Sequence, residues 1–169
     1  MNKSLIALTL TIAALPALAQ QPQTKVLGTF QSWTAYETAA GNMKTCYVYA
    51  VPAKSQGKYA TRGATYIQVS HRPAEKVVNE VSFTAGYTFK DSAPVEVDVG
   101  KQKFALFTKN DGAWARDSKD DAAIVKAMAG AGTLVVKGTS SRGTATVDTY
   151  PLAGFSAAHA EINKACGVK

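Results

Sequence analysis

From residue 30 onward the chain is dominated by short segments in which apolar and polar residues alternate, each closed by turn residues. Period-two alternation puts successive side chains on opposite faces of a strand, so each segment reads as a β-strand with one buried face. Residues 30–37 carry Trp33 and Ala35 on one parity and Phe30 and Tyr36 on the other. Residues 45–51 are rich in aromatic and β-branched side chains and stop at Pro52, and residues 64–70 alternate up to Pro73; proline cannot extend a sheet ladder. Residues 77–89 place Val81, Phe83, Ala85, Tyr87 and Phe89 on one parity, with Gly86 as a candidate bulge. Val95, Val97 and Val99 alternate before Gly100-Lys101 turns the chain into 103–108, and Asn110-Asp111-Gly112 leads into Ala113-Trp114-Ala115.

The stretch 137–155, KGTSSRGTATVDTYPLAGF, is rich in hydroxyl side chains and carries Arg142 in its middle. A tight turn at Ser140-Ser141-Arg142-Gly143 would set Thr139 opposite Thr144, Lys137 opposite Thr146 and Val136 opposite Val147. Leu134, Val136, Ala145 and Val147 then share a buried face, while Lys137, Thr139, Thr144, Thr146 and Asp148 face solvent. Threonine suits the open face of a strand, so a hairpin accounts for the composition without a catalytic loop. Pro151 removes a backbone donor, and residues 152–155 are expected to leave the sheet.

Two segments change period. SKDDAAIVKAMAG predicts a helix at about 118–130, with Ser118 as cap, Asp120 and Asp121 at the positive N-terminus, and Ile124, Val125 and Met128 as the apolar stripe. A second helix is expected at about 156–166, where Ala158, Ile162 and Cys166 recur every four residues. Many short strands with two helices give a mainly β chain, best read as a β-sandwich with helical connections.

Composition adds a compartment. Lys3, an apolar run over 5–15 and the Ala17-Leu18-Ala19 cleavage pattern read as a secretory signal peptide over 1–19. Removing 19 of 169 residues leaves 150, the size of one domain, expected as a flexible stretch at 20–26 and a single sandwich domain at 27–169. No transmembrane run follows the leader. Loss of Lys3 takes the net charge from +7 to +6, which either serves solubility alone or favours anionic envelope or host surface components over nucleic acid. Cys46 and Cys166 are the two cysteines, and an even pair in an oxidising compartment reads as a disulfide. With only His71 and His159 beside them, they match no metal-ligand spacing.

No catalytic constellation, metal set or cofactor motif emerges. Arg142 occupies the last position where G-x-S-x-G needs glycine, and Gly100-Lys101 lacks the rest of a phosphate-binding loop. His71 lies in SHRP at a strand end and reads as a surface or hydrogen-bonded side chain, and Arg62 and Arg72 as strand-end residues. The candidate binding residues are Lys137, Arg142, Arg62, His71 and Arg72, the first two as one exposed basic side of the hairpin.

Several stretches in this order carry a family resemblance: GTFQSWTAY (28–36), KTCYVYAVP (44–52), TRGATYIQVSHRP (61–73), NEVSFTAGYTF (79–89), IVKAMAGAGTLVVKGTSSRGT (124–144), DTYPLAGFSAA (148–158) and INKAC (162–166). They resemble the invasion-associated locus B family of exported bacterial proteins. The resemblance implies one immunoglobulin-like β-sandwich with two short helices, a Cys46–Cys166 bridge, and residence in the periplasm, with outer-membrane association or secretion as alternatives. No enzymatic activity defines the family, and some members are linked to host-cell entry. The expected function is therefore non-enzymatic partner binding in the envelope. A periplasmic protein that binds a small ligand or anion for envelope maintenance is the alternative.

Overall fold

The computed structural model describes residues 23–168. Eleven strands form one antiparallel sheet: β1 (Gln23–Phe30), β2 (Trp33–Ala40), β3 (Met43–Ala50), β4 (Lys54–Gly57), β5 (Tyr66–Arg72), β6 (Val77–Thr84), β7 (Val95–Val99), β8 (Gln102–Lys109), β9 (Gly112–Trp114), β10 (Thr133–Thr139) and β11 (Ala145–Pro151). Their spatial order is β1-β2-β3-β5-β6-β9-β8-β7-β10-β11-β4. β8 joins the two halves: residues 102–106 pair with β7 and residues 107–109 with β9. The sheet folds over on itself. Phe83 of β6 and Tyr150 of β11 stand five places apart in strand order, yet their ring centroids are 6.2 Å apart.

The alternating residues fill the space between the halves. Ala35, Val48, Val69 and Val81 align across four neighbouring strands and are fully buried. Val95, Val97, Val99, Leu134 and Val136 face them from the other half. Residues 77–89 are not one strand: β6 stops at Thr84, and Gly86 takes a positive φ of 70°. There the Gly63 amide donates to the Gly86 carbonyl at 2.9 Å, and a Cβ on Gly86 would collide with the Gly63 carbonyl oxygen. A close backbone approach, not a bulge, is what the glycine permits. Residues 30–37 also split, turning at Gln31 (φ 53°) between β1 and β2.

Both helices form where the period changes. α1 (Ser118–Gly130) buries Ile124, Val125, Ala127 and Met128, and α2 (Phe155–Cys166) buries Phe155, Ala158 and Ile162. The cap of α1 is Asp117 rather than Ser118, its carboxylate accepting from the Lys119 and Asp120 amides at 3.0 and 2.9 Å. Asp121 points inward and accepts the Val81 amide at 2.8 Å. Burial pushes its carboxyl up to about 6. α2 lies on β1, β2, β3 and β5, with Phe155 edge-on to Trp33 at 4.9 Å and the Trp33 indole donating to the Pro151 carbonyl at 2.9 Å. Cys166, at its C-terminus, is bonded to Cys46 of β3 with Cα atoms 6.0 Å apart.

The expectation of a flexible stretch at 20–26 is corrected where it is described: residues 23–26 pair with residues 36–39 of β2. The proposed leader, 1–19, lies outside the described residues.

The disulfide closes a loop of 120 positions. Cross-linking so long a loop removes denatured-state entropy worth up to ~5 kcal/mol. Replacing both cysteines with alanine should lower the urea midpoint accordingly, and reducing the native protein should do the same. An unchanged midpoint under reductant would contradict this assignment.

Candidate functional site

The β10–β11 hairpin forms, but in a different register from the one its sequence suggests. Thr139 pairs with Ala145, Gly138 with Thr146, Lys137 with Val147 and Val136 with Asp148. The connection is the longer Ser140–Thr144 loop, with Gly143 at φ 83°. A one-residue slip exchanges the faces of a strand. Thr146 and Asp148 are therefore buried, at 3% and 4% exposure, while Val147 is half-buried on the outer face.

The inward-facing Asp148 meets Arg62, which arrives on the segment between β4 and β5. The guanidinium donates both terminal nitrogens to Asp148, at 2.7 and 2.6 Å, and its Nε to the Ala85 carbonyl at 2.6 Å. Both side chains are about 95% buried. Burial pulls against the Arg62 charge, but the Asp148 carboxylate outweighs it and raises the pKa above the ordinary arginine value. Tyr87 and Tyr59 lie 5.1 and 5.5 Å from the guanidinium carbon. The Tyr87 hydroxyl bonds Thr146 Oγ1 at 2.6 Å, and burial raises its pKa. Gly138 leaves room for this ring, since a Cβ there would stand 2.7 Å from the tyrosine oxygen.

Above this pair opens a cleft of about 540 Å³. Arg62, Gly63 and Tyr87 line it, with Thr61, Thr88, Ser140, Ser141 and Thr144 supplying polar groups. Lys58 and Arg142 lie at its exposed edge, and neither forms an ion pair among the described residues. The cleft thus holds three cations and one buried carboxylate, and two of the cations are uncompensated. Hydroxyls and open cations of this kind accept anionic groups through charge-assisted hydrogen bonds.

A shallower groove of about 460 Å³ continues from the cleft, sharing Gly63, Gly86, Tyr87 and Thr88 and adding Tyr66, Thr84 and Asp111. Its Tyr66 belongs to β5, whose outer face adjoins those of β3 and β2. There Tyr36 stacks on Tyr47 at 5.1 Å, and Tyr49 lies 5.1 Å from Tyr66. All four rings are half-buried. Burial raises the Tyr49 hydroxyl pKa, with Tyr66 and Tyr36 adding to it, so these phenols form one cluster.

Of the five residues suggested by sequence, two come together in the cleft, Arg62 and Arg142. Arg62 is not a simple strand-end cation but the buried half of an ion pair. Lys137 is on the outer face of β10, bonded to Asp98 at 2.6 Å rather than to Asp148, and does not line the cleft with Arg142. Arg72 is clamped by Glu80 at 2.8 and 2.9 Å and by Glu75 at 2.8 Å. Glu80 first, then Glu75, offset burial and hold its pKa above the usual value.

His71 is hydrogen-bonded, one of the two readings its sequence allowed, but it is not a surface residue, being fully buried under α2. Its Nδ1 accepts the Asn79 amide at 3.0 Å, so the proton sits on Nε2 and is donated to Asn163 Oδ1 at 2.8 Å. Asn163 Nδ2 reaches His159 Nδ1 at 3.4 Å, and His159 Nε2 donates to Asn79 Oδ1 at 2.7 Å. The ring of four residues is satisfied only with both imidazoles neutral. Burial lowers the His71 pKa, and burial together with His71 pulls His159 down to about 4.

Sequence reading missed Lys58, Tyr59, Tyr87 and the tyrosine cluster. One signal was present: Tyr47 and Tyr49 share the parity opposite Cys46 and Val48, which marks an aromatic outer face.

Two expected outcomes follow from these contacts. Val147→Asp should be tolerated within about 1 kcal/mol because it faces out beside Lys137, whereas Thr146→Ala orphans the Tyr87 hydroxyl and should cost roughly 1–3 kcal/mol. Urea midpoints of the two variants check this, and the reverse order would restore the other register. For pH, His159 binds a proton more readily unfolded than folded, so its contribution is lost as pH falls from 6.5 through about 4. Asp121 acts oppositely, its contribution being lost as pH rises from 3.8 through about 6. His159→Gln should therefore give a protein less sensitive to acid between pH 6.5 and 4 than the parent, and Asp121→Asn a more sensitive one, in urea midpoints followed against pH.

No curated protein and no solved structure matches the chain. The family described as Invasion associated locus B (IalB) protein matches residues 33–163. That span runs from Trp33, the anchor of α2, to Asn163 of the histidine ring, and takes in the whole cleft. The chain belongs to the Invasion associated locus B family.

Proposed function

We propose that this is a non-enzymatic exported envelope protein that holds an anionic group of a partner in the cleft between the Arg62 segment and the β10–β11 loop. The observation that carries the reading is the pairing pattern of the cations. Arg62 is neutralised by Asp148, while Lys58 and Arg142 at the edge have no acidic partner among the described residues. The buried pair fixes the floor, and the open pair supplies a local positive field over a hydroxyl-lined surface.

Export is supported by the leader-like segment 1–19 and by the disulfide, which persists in oxidising compartments. Periplasmic residence is the simplest form of this reading, and a role in host entry belongs to it only if the partner is a host component. Among the described residues no helix is long and apolar enough to cross a membrane, and no group of three or more His, Cys, Asp or Glu side chains could hold a metal ion. The cleft contains no nucleophile with a base and an orienting group beside it. A turnover that vanished on one side-chain change in a folded variant would overturn the non-enzymatic part.

The anion reading is tested with citrate as probe, followed by amide NMR on the mature protein. Shifts should gather at residues 58–63, 86–88 and 140–144 and fade as salt is raised. The folded Lys58→Ser, Arg142→Ser double variant should lose them. Shifts that were absent, scattered or unchanged in the variant would refute the cleft as an anion site.

A further inference from the structure

The cleft does not stand alone. Through Gly63, Gly86 and Tyr87 it continues into the groove that carries Tyr66. From Tyr66 the tyrosine cluster runs through Tyr49 and Tyr47 to Tyr36. The two ring spacings and the ~3.3 Å rise per strand residue give this strip a length of about 17 Å. Register places Thr34 and Tyr49 in one row with Gln68 and Ser82, and Tyr36 and Tyr47 in a row with the buried Ser70 and with Glu80. Beside the rings, the half-buried Thr34, Gln68 and Ser82 supply neutral hydrogen-bonding side chains. Its charged residues at the far end, Arg72, Glu80 and Glu75, are spent on one another.

We propose that this continuous surface binds an extended acidic polysaccharide, its sugar rings lying along Tyr36, Tyr47, Tyr49 and Tyr66 and one of its carboxylates seated between Lys58 and Arg142. The proposal rests on the reading of the cleft as an anion site and names the ligand class. A sugar presents an apolar C–H face and a rim of hydroxyls, which matches an aromatic strip set among amides and hydroxyls. Charge decides the kind of polymer. Two open cations at one end and a strip without any open cation suit widely spaced acids, not a densely sulfated chain. Asp111 lines the connecting groove, so an acid group is repelled there and settles beyond it, in the cleft. The sparse charge selects an unsulfated, uronate-bearing polysaccharide over a densely sulfated one.

The test uses the mature protein and three hexasaccharides: alternating glucuronate and N-acetylglucosamine, neutral N-acetylglucosamine alone, and heparin. The glucuronate ligand should bind best. Tyr49→Ala with Tyr66→Ala should weaken it about tenfold or more while leaving the citrate-induced shifts intact. Lys58→Ser with Arg142→Ser should abolish both. Circular dichroism must show each variant folded, and Tyr49→Phe with Tyr66→Phe, which keeps the rings, should retain at least part of the affinity if the alanine pair unfolds. Stronger binding of heparin, equal binding of the neutral sugar, or full affinity in the folded tyrosine variant would overturn the polysaccharide assignment. If citrate still bound, the anion site would survive that result; if citrate failed as well, both would fall.

Discussion

A buried arginine held by a buried aspartate organises the half of this fold that carries the cleft. Arg62 and Asp148 are 86 positions apart, on the segment before β5 and on β11, which belong to opposite halves of the folded sheet. Two charges withdrawn from water are tolerable only when each satisfies the other and the remaining donors also find partners. Here the second terminal nitrogen completes a bidentate bond and Nε takes the Ala85 carbonyl. The Gly63–Gly86 backbone contact lies one residue further along on both sides. Thus the pair also sets the distance between the two chains that wall the cleft, and it leaves the field at the mouth to Lys58 and Arg142.

The opposite end of the molecule is fastened by other means. α2 is bonded through Cys166 to β3, sets Phe155 edge-on to Trp33, and shares its polar face with the Asn79–His71–Asn163–His159 ring. This end relies on a covalent bond and neutral hydrogen bonds, whereas the cleft end relies on charge. Acid weakens the first through its histidines, and salt acts on the second only through its exposed cations.

Much of the architecture was legible. Alternation found most strands, period change located α1 and α2 to within a residue, and the expectation of export with two cysteines gave the bridge between Cys46 and Cys166. The hairpin faces were not legible from alternation alone, because β11 alternates either way: Ala145, Val147 and Thr149 against Thr146, Asp148 and Tyr150. Choosing the threonine face as solvent-exposed ignored Tyr150, the large aromatic on that parity, which is 1% exposed and packs on Phe83. Anchoring the strand on Tyr150 would have turned Asp148 inward and demanded a cationic partner. That the partner is Arg62 depends on how the sheet folds over, which no local pattern encodes. The burial of His71 was not legible for a similar reason, since a strand end is exposed only until a helix from the other end of the chain covers it.

The most direct test is a double-mutant cycle on Arg62 and Asp148, read as unfolding free energy in urea. Asp148→Leu and Arg62→Met alone each leave one buried charge without its partner, and each should cost about 3–5 kcal/mol. The combined variant removes both charges and should be clearly more stable than either single one, with a coupling of about 1–3 kcal/mol. Single variants that cost less than about 1 kcal/mol and add without coupling would show that the pair is not buried as described, and the inward face of β11 and the cleft floor would fall with it.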